Sequence, residues 1–303
     1  MSGLRRLRFS MRRLFFVLMA IPFIPVSLWS GVPVAVSIAP EKTFVQKIAG
    51  DLADVTVMVP AGASPATYEP KPSQMKKIAR AQLYFAIGVP FEKAWLSRFK
   101  AQNRKMKIVD ITRGIQKVPM VSHHHHEKGH GSGHESDHGS SEGLDPHVWL
   151  APRMVLVLAE NIAEALKERD PKHAAVYQEN LERFKKEIDA LDKKLKKILE
   201  PCRGKAMMVF HPSWGYFART YGLRQIPIEI EGKEPKPKKL IELIHEAQEQ
   251  KVTTLFIQPQ FSRRAARTLA RSIGAKIVVA DPLAPDWAQN LTAVAKRICE
   301  ADR

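Results

Sequence analysis

Apolar residues in this chain fall into short runs separated by longer stretches in which they recur every three or four positions. The short runs predict strands near Val34 to Ile38, Val55 to Val59, Leu83 to Ile87 and Lys107 to Asp110. A second set lies near Ala206 to Phe210, Gln225 to Ile230, Thr254 to Ile257 and Lys276 to Ala280. Strands that alternate with helices pair in parallel, because each crossover helix returns the chain to the same sheet end, so the pattern predicts an α/β fold with parallel sheets. Between the two sets, Tyr177, Leu181, Phe184, Ile188, Leu191, Leu195 and Ile198 alternate spacings of four and three. That is one apolar stripe on a helix over Pro171 to Leu199, roughly 40 Å long at about 1.5 Å per residue. A coiled-coil dimer would use the same stripe, although packing on the chain's own lobes is the commoner fate. A single rigid helix between lobes would restrict hinge motion.

The halves echo each other. Glu69-Pro-Lys-Pro72 opens a helical run from Ser73 to Ala81, and Glu234-Pro-Lys-Pro237 opens another from Lys238 to Gln250. Proline suits a helix's first turn, so two helix starts written alike would explain the repeat; the matching order of elements points instead to two related lobes. Length agrees, since about 270 residues is more than one core usually holds. The expected division is a signal peptide at 1–32, an N-terminal lobe at 33–150 carrying a histidine-rich loop at 120–143, a connecting helical segment at 151–200 and a C-terminal lobe at 201–303.

The first residues set the compartment. Arg5, Arg6, Arg8, Arg12 and Arg13 precede an apolar run from Leu14 to about Trp29, followed by Ser30 and Gly31, which is the order of a secretory signal. The run is broken by Pro22 and Pro25 and is short for a membrane-spanning helix, which needs about 20 residues. No cysteine lies near the cleavage point, so a lipid anchor is not supported and a soluble, exported chain in the periplasm is expected. The formal net charge of +17 contains five leader arginines. The remaining excess sits on helical lysines such as Lys185, Lys186, Lys193, Lys194, Lys196 and Lys197 without interleaved aromatics, a solvated face rather than a nucleic-acid surface. Cys202 and Cys299 are the only cysteines. In an oxidising compartment they are candidates for one bridge.

Seven of the eleven histidines, His123, His124, His125, His126, His130, His134 and His138, crowd one tract mixed with Gly, Ser, Glu and Asp. So polar and glycine-broken a stretch forms no core; its chemistry is accessory metal binding, and imidazole favours zinc, copper or nickel over magnesium or calcium. Of the other four, His147 follows the turn pair Asp145-Pro146. His211 ends the run Met207-Met208-Val209-Phe210 and precedes proline, and Asp281 ends Ile277-Val278-Val279-Ala280 and also precedes proline. Open parallel sheets bind ligands at the carboxyl ends of their strands. Two imidazoles and a carboxylate there make a zinc-type set that lacks one ligand of a tetrahedron. His173 and His245 read as surface residues.

The ordered stretches Ala61 to Pro70, Gly88 to Glu92, the histidine tract, Asp145 to Pro152, Phe210 to Phe217, Gln258 to Phe261 and Asp281 to Leu283 resemble the metal-binding periplasmic components of ABC importers, in particular the zinc-specific ZnuA type. The resemblance implies two lobes of parallel sheet flanked by helices, one long rigid connecting helix, and a single divalent metal in the interlobe cleft. It also implies delivery of Zn2+, bound as transported ligand, to an ABC-transporter membrane permease by a monomeric, non-enzymatic protein. It assigns the metal to His147, His211 and Asp281. One departure matters: the family's histidine after Ser-Pro is here Ala66, following Ser64-Pro65. Water or a loop histidine is then expected as fourth ligand, with Glu69 and Glu92 as nearby acids. Manganese or iron uptake, and a metal-dependent adhesin or storage role, stand as alternatives. A zinc hydrolase needs a base beside the metal, and no His-Glu-x-x-His helix or Gly-x-Ser-x-Gly elbow is present.

Overall fold

The structure, a computed structural model, describes residues 31–120, 143–229, 235–260 and 263–300. The basic leader and the histidine tract with its seven imidazoles lie outside the described residues. The first lobe runs β1 (Val32–Val36), α1 (Ala39–Ala49), β2 (Ala53–Val57), α2 (Pro72–Ile78), β3 (Leu83–Ala86), α3 (Pro90–Gln102) and β4 (Lys107–Asp110). Helices α4 (Pro152–Arg169) and α5 (Ala174–Leu199) follow. The second lobe runs β5 (Ala206–Val209), α6 (Gly215–Thr220), β6 (Arg224–Pro227), α7 (Pro237–Glu249), β7 (Thr254–Ile257), α8 (Arg263–Ile273) and β8 (Lys276–Val279), and α9 (Trp287–Glu300) closes the chain. Both sheets are parallel, ordered β2-β1-β3-β4 and β6-β5-β7-β8. The two Pro-Lys-Pro helix starts occupy equivalent places: α2 joins an edge strand to the third strand of its sheet, and α7 does the same in the other.

The eight expected strands form with small shifts. β1 and β2 each begin two residues early and end two residues early, at Val36 and Val57. After Val36 the chain turns out of the sheet: the Ser37 and Ile38 N–H groups donate to the Glu41 carboxylate at 3.1 and 2.9 Å, starting α1. β6 stops at Pro227, which has no N–H for a ladder, leaving Ile228 and Glu229 beyond the strand end. The segment read as one connector, 151–200, contains two helices. α4 belongs with the first lobe, since Asn161 Nδ2 donates to the Ile111 and Arg113 carbonyls and Arg113 pairs with Glu164.

The connector is therefore α5, with 26 residues. Its buried face is Tyr177, Leu181, Phe184, Ile188, Leu191, Leu195 and Leu199; Leu199 takes the buried place assigned to Ile198, which is half-buried. Polar ties hold it to both lobes: Asn180 Nδ2 donates to the Ile48 carbonyl of α1, and Tyr221 of the second lobe donates to buried Asp192 at 3.0 Å. Arg153 and Lys196 also pair with Asp192. Burial alone would raise that carboxyl's pKa, but the hydrogen bonds from Lys196 and Tyr221 outweigh it and hold the pKa below the usual value.

Strand alternation divides the second sheet. Met207, Val209 and Phe256 face a core that runs through α5, α9 and the first lobe, whereas Met208, Leu255 and Ile257 face a smaller core under α7 and α8. α9 completes the join: Trp287 packs edge-on against Phe44 of α1, with ring centroids 5.2 Å apart. The Sγ atoms of Cys202, just before β5, and Cys299, in α9, are bonded, with their Cα atoms 5.7 Å apart. Two sheets thus share one continuous core, an arrangement that opposes wide hinge motion. Among the described residues no helix is long and apolar enough to cross a membrane.

Candidate metal centre

His147 sits at the start of a short 3-10 turn, Val148–Leu150, whose Trp149 and Leu150 are fully buried and anchor it. Its ring is fixed by Asp145: the Nδ1 and the backbone N–H both reach Asp145 Oδ1, at 2.7 and 2.9 Å. Asp145 is itself buried against α6, where Gly215 makes room for it; a Cβ there would lie 3.0 Å from Asp145 Oδ2. Tyr216 donates to the Asp145 carbonyl and accepts from the Val118 N–H, so the second lobe holds the segment that carries His147. Burial lowers the His147 pKa, opposed by the hydrogen bond to Asp145 and assisted by neighbouring His211.

His211 leaves the carboxyl end of β5. Gln258, leaving β7, holds its backbone from both sides: its Oε1 accepts the His211 N–H and its Nε2 donates to the His211 carbonyl. The ring Nδ1 lies 2.5 Å from Oε1 of buried Glu229, just past the end of β6. The parallel register pairs Val209 with Pro227, so continuing both chains by two residues sets His211 beside Glu229. The imidazoles of His147 and His211 face each other edge-on with centroids 5.3 Å apart.

Asp281 leaves β8 near the same cleft but is turned aside, its Oδ1 accepting from Gln260 Nε2 at 2.8 Å and from the Leu283 N–H at 2.9 Å. No three described His, Cys, Asp or Glu side chains gather closely enough to hold one ion, so the expected triad is a converged pair plus a neighbouring carboxylate. The cleft has a volume of 170 Å3 and is lined from both lobes, by Ser64, Pro65, Ala66, Gly88 and Lys93 on one side and by His211, Gln260, Pro282 and Leu283 on the other. Ala66, the residue at which the resemblance calls for histidine, is exposed and lines the cleft. Pro119 and Leu144 bridge antiparallel across the two ends of the histidine tract, and Met120, Gly143 and Leu144 line the cleft.

Other candidates lie elsewhere. Glu92 is buried and committed to Ser37 Oγ and to the Ile87 and Gly88 N–H groups, and Glu69 is exposed. His245 is on the surface; His173 is half-buried, its Nδ1 2.6 Å from Asp170. Sequence reading missed Asp145 and Glu229 as the groups that orient the rings, although Asp145 stands in the Asp-Pro-His turn and Glu229 is placed by the sheet register.

The family of periplasmic proteins described as zinc-uptake complex component A (ZnuA) matches residues 34–301. A solved ZnuA structure superposes with a TM-score of 0.81 and 41% identity, covering 90% of this chain and 100% of that one. A zinc-bound ZnuA lacking its residues 138–173 gives 0.80 and 41%, covering 89% and 98%. The zinc-binding protein AdcA of Streptococcus pyogenes serotype M3 is 30% identical over 83% of this chain, which spans 50% of AdcA's length. With nearly its whole described length matched and the same two-sheet frame around the paired imidazoles, the chain belongs to the ZnuA family of periplasmic zinc-uptake components.

Proposed function

We propose that this protein captures Zn2+ outside the cytoplasmic membrane and delivers it to an ABC-type permease, acting as a carrier and not an enzyme. The observation that carries the reading is the His147–His211 pair. Each ring commits Nδ1 to a buried carboxylate, which fixes the tautomer and assigns Nε2 to the metal. Neutral imidazole suits zinc, and the neighbouring carboxylates hold the rings in place. Asp281 joins as third ligand when its side chain turns from Gln260 toward the rings. β7 separates β5 from β8, so the two strand ends lie roughly 10 Å apart at about 4.8 Å per strand, within reach of an ion held between them. Water or a histidine of the tract at 123–138 completes the set in place of Ala66. The basic leader at 1–32 directs export as a cleaved signal, and the mature chain works as a soluble monomer in the periplasm without a nucleic-acid partner.

Competition titration of the full mature chain with a zinc chelator indicator tests this. One tight zinc site, lost in His147→Ala and in His211→Ala with the fold intact, is the expected result. Stoichiometric manganese retention in preference to zinc would overturn it.

A further inference from the structure

Building on the zinc-capture reading, we propose that a small organic dicarboxylate takes the position otherwise left to water or a tract histidine, one carboxylate on the metal and the other on Lys93. Zinc seeks four donors, and the described cleft converges two imidazoles, with Asp281 at most a third. The vacant side is the Ala66 side. The cleft's 170 Å3 exceeds what an ion and one water require, since a water occupies about 30 Å3 of liquid volume.

The walls say what kind of group fits there. Pro65, Val89, Pro90, Trp149 and Leu283 form an apolar lining suited to a short hydrocarbon body. Lys93, on α3, is exposed at the rim and has no acidic partner among the described residues. A Cβ built on Gly143 would lie 4.0 Å from its Nζ, which places the ammonium at the mouth of the cleft. An ammonium lining the same cleft as a dication's site opposes entry of the bare ion; a dicarboxylate between them converts that repulsion into two attractions. Its metal-bound carboxylate also offsets part of the zinc's charge, a charge otherwise costly to bring into an apolar cleft. Across the cleft, the buried Gln260 Oε1 has no hydrogen-bond partner and is an acceptor ready for a water on the metal.

Succinate, a weak zinc ligand in water, is the probe. Zinc titration of the full mature chain alone is read first and reports on capture by itself. Succinate is then titrated calorimetrically into the metal-free and zinc-loaded chain, and spectroscopically into the cobalt(II)-loaded chain. The expected result is succinate binding at least tenfold tighter with metal than without, a shift in the cobalt absorption, and about tenfold weakening in Lys93→Met. Ala66→His, which supplies an imidazole to the vacant side, should abolish the cobalt shift. Zinc binding with no succinate binding, or succinate binding indifferent to Lys93→Met, overturns the proposal while leaving zinc capture standing.

Discussion

Trp149 and Trp287 are linked by a hydrogen bond from the Trp287 indole N–H to the Trp149 carbonyl at 2.7 Å, and the Trp149 indole N–H in turn donates to the Pro282 carbonyl at 2.7 Å. The two bonds chain the turn that carries His147 to the turn that carries Asp281, and both to α9. Trp149→Phe keeps the packed ring but leaves the buried Pro282 carbonyl without its donor, a loss of about 1–3 kcal/mol. Urea unfolding should show a lower midpoint with an unchanged slope.

Glu229 acts through His211. Glu229→Gln leaves the ring in place but removes the carboxylate that orients it. Zinc affinity should fall about 10- to 100-fold, measured by chelator competition, with circular dichroism unchanged. Equal affinity in wild type and variant would remove Glu229 from the site.

Glu41 is buried in α1, where it accepts the Ser37 and Ile38 N–H groups. Burial, helped by Glu92, raises its pKa well above 4.5, against the lowering effect of the Ile38 and Ser37 N–H groups. A carboxyl whose folded pKa is raised contributes stability that is complete below its unfolded pKa and is lost as pH climbs toward the folded value. Stability should therefore decline from about pH 4.5 upward on this group's account, by at most about 1.4 kcal/mol per pH unit. Glu41→Gln removes this contribution, so the difference between the two proteins' unfolding free energies across pH 4 to 8 measures it.

The Cys202–Cys299 bridge ties the start of β5 to the last helix across a sequence separation of 97 residues. Replacing both by serine should cost about 2–4 kcal/mol by releasing the unfolded chain. Thermal unfolding with and without reductant should then coincide for the variant and differ for the parent.

Asp192 is buried within α5 and meets Arg153, Lys196 and Tyr221. Asp192→Ala leaves the Tyr221 hydroxyl without its acceptor and α5 without this tie to the second lobe, an expected loss of about 3 kcal/mol in chemical unfolding.

Much of the frame was legible because its signals are local. Strands such as β3, β5 and β7 are short apolar runs, and the stripe from Tyr177 to Leu195 has helical period. Strand ends were less legible: β1 stops at Val36 because Glu41 takes the Ser37 and Ile38 N–H groups and turns the chain into α1, whatever the hydropathy of Ile38. The site was half legible. His147 and His211 announce themselves by proline-flanked strand ends and turns, while Asp145 and Glu229 look like ordinary turn and strand residues until the register sets them against the rings.

By itself the sequence determined the alternation of strands and helices, the two equivalent lobes, the long helix and the histidines and aspartate at strand ends, all of which follow from periodicity and turn chemistry within about thirty residues. Tertiary structure alone decided that the lobes share one core through α5 and α9, that His147 and His211 meet while Asp281 leans on Gln260, and that a lysine lines the same cleft as Ala66. Those relations join residues scores of positions apart, where strand order and helix packing, not local preference, fix which side chains come together.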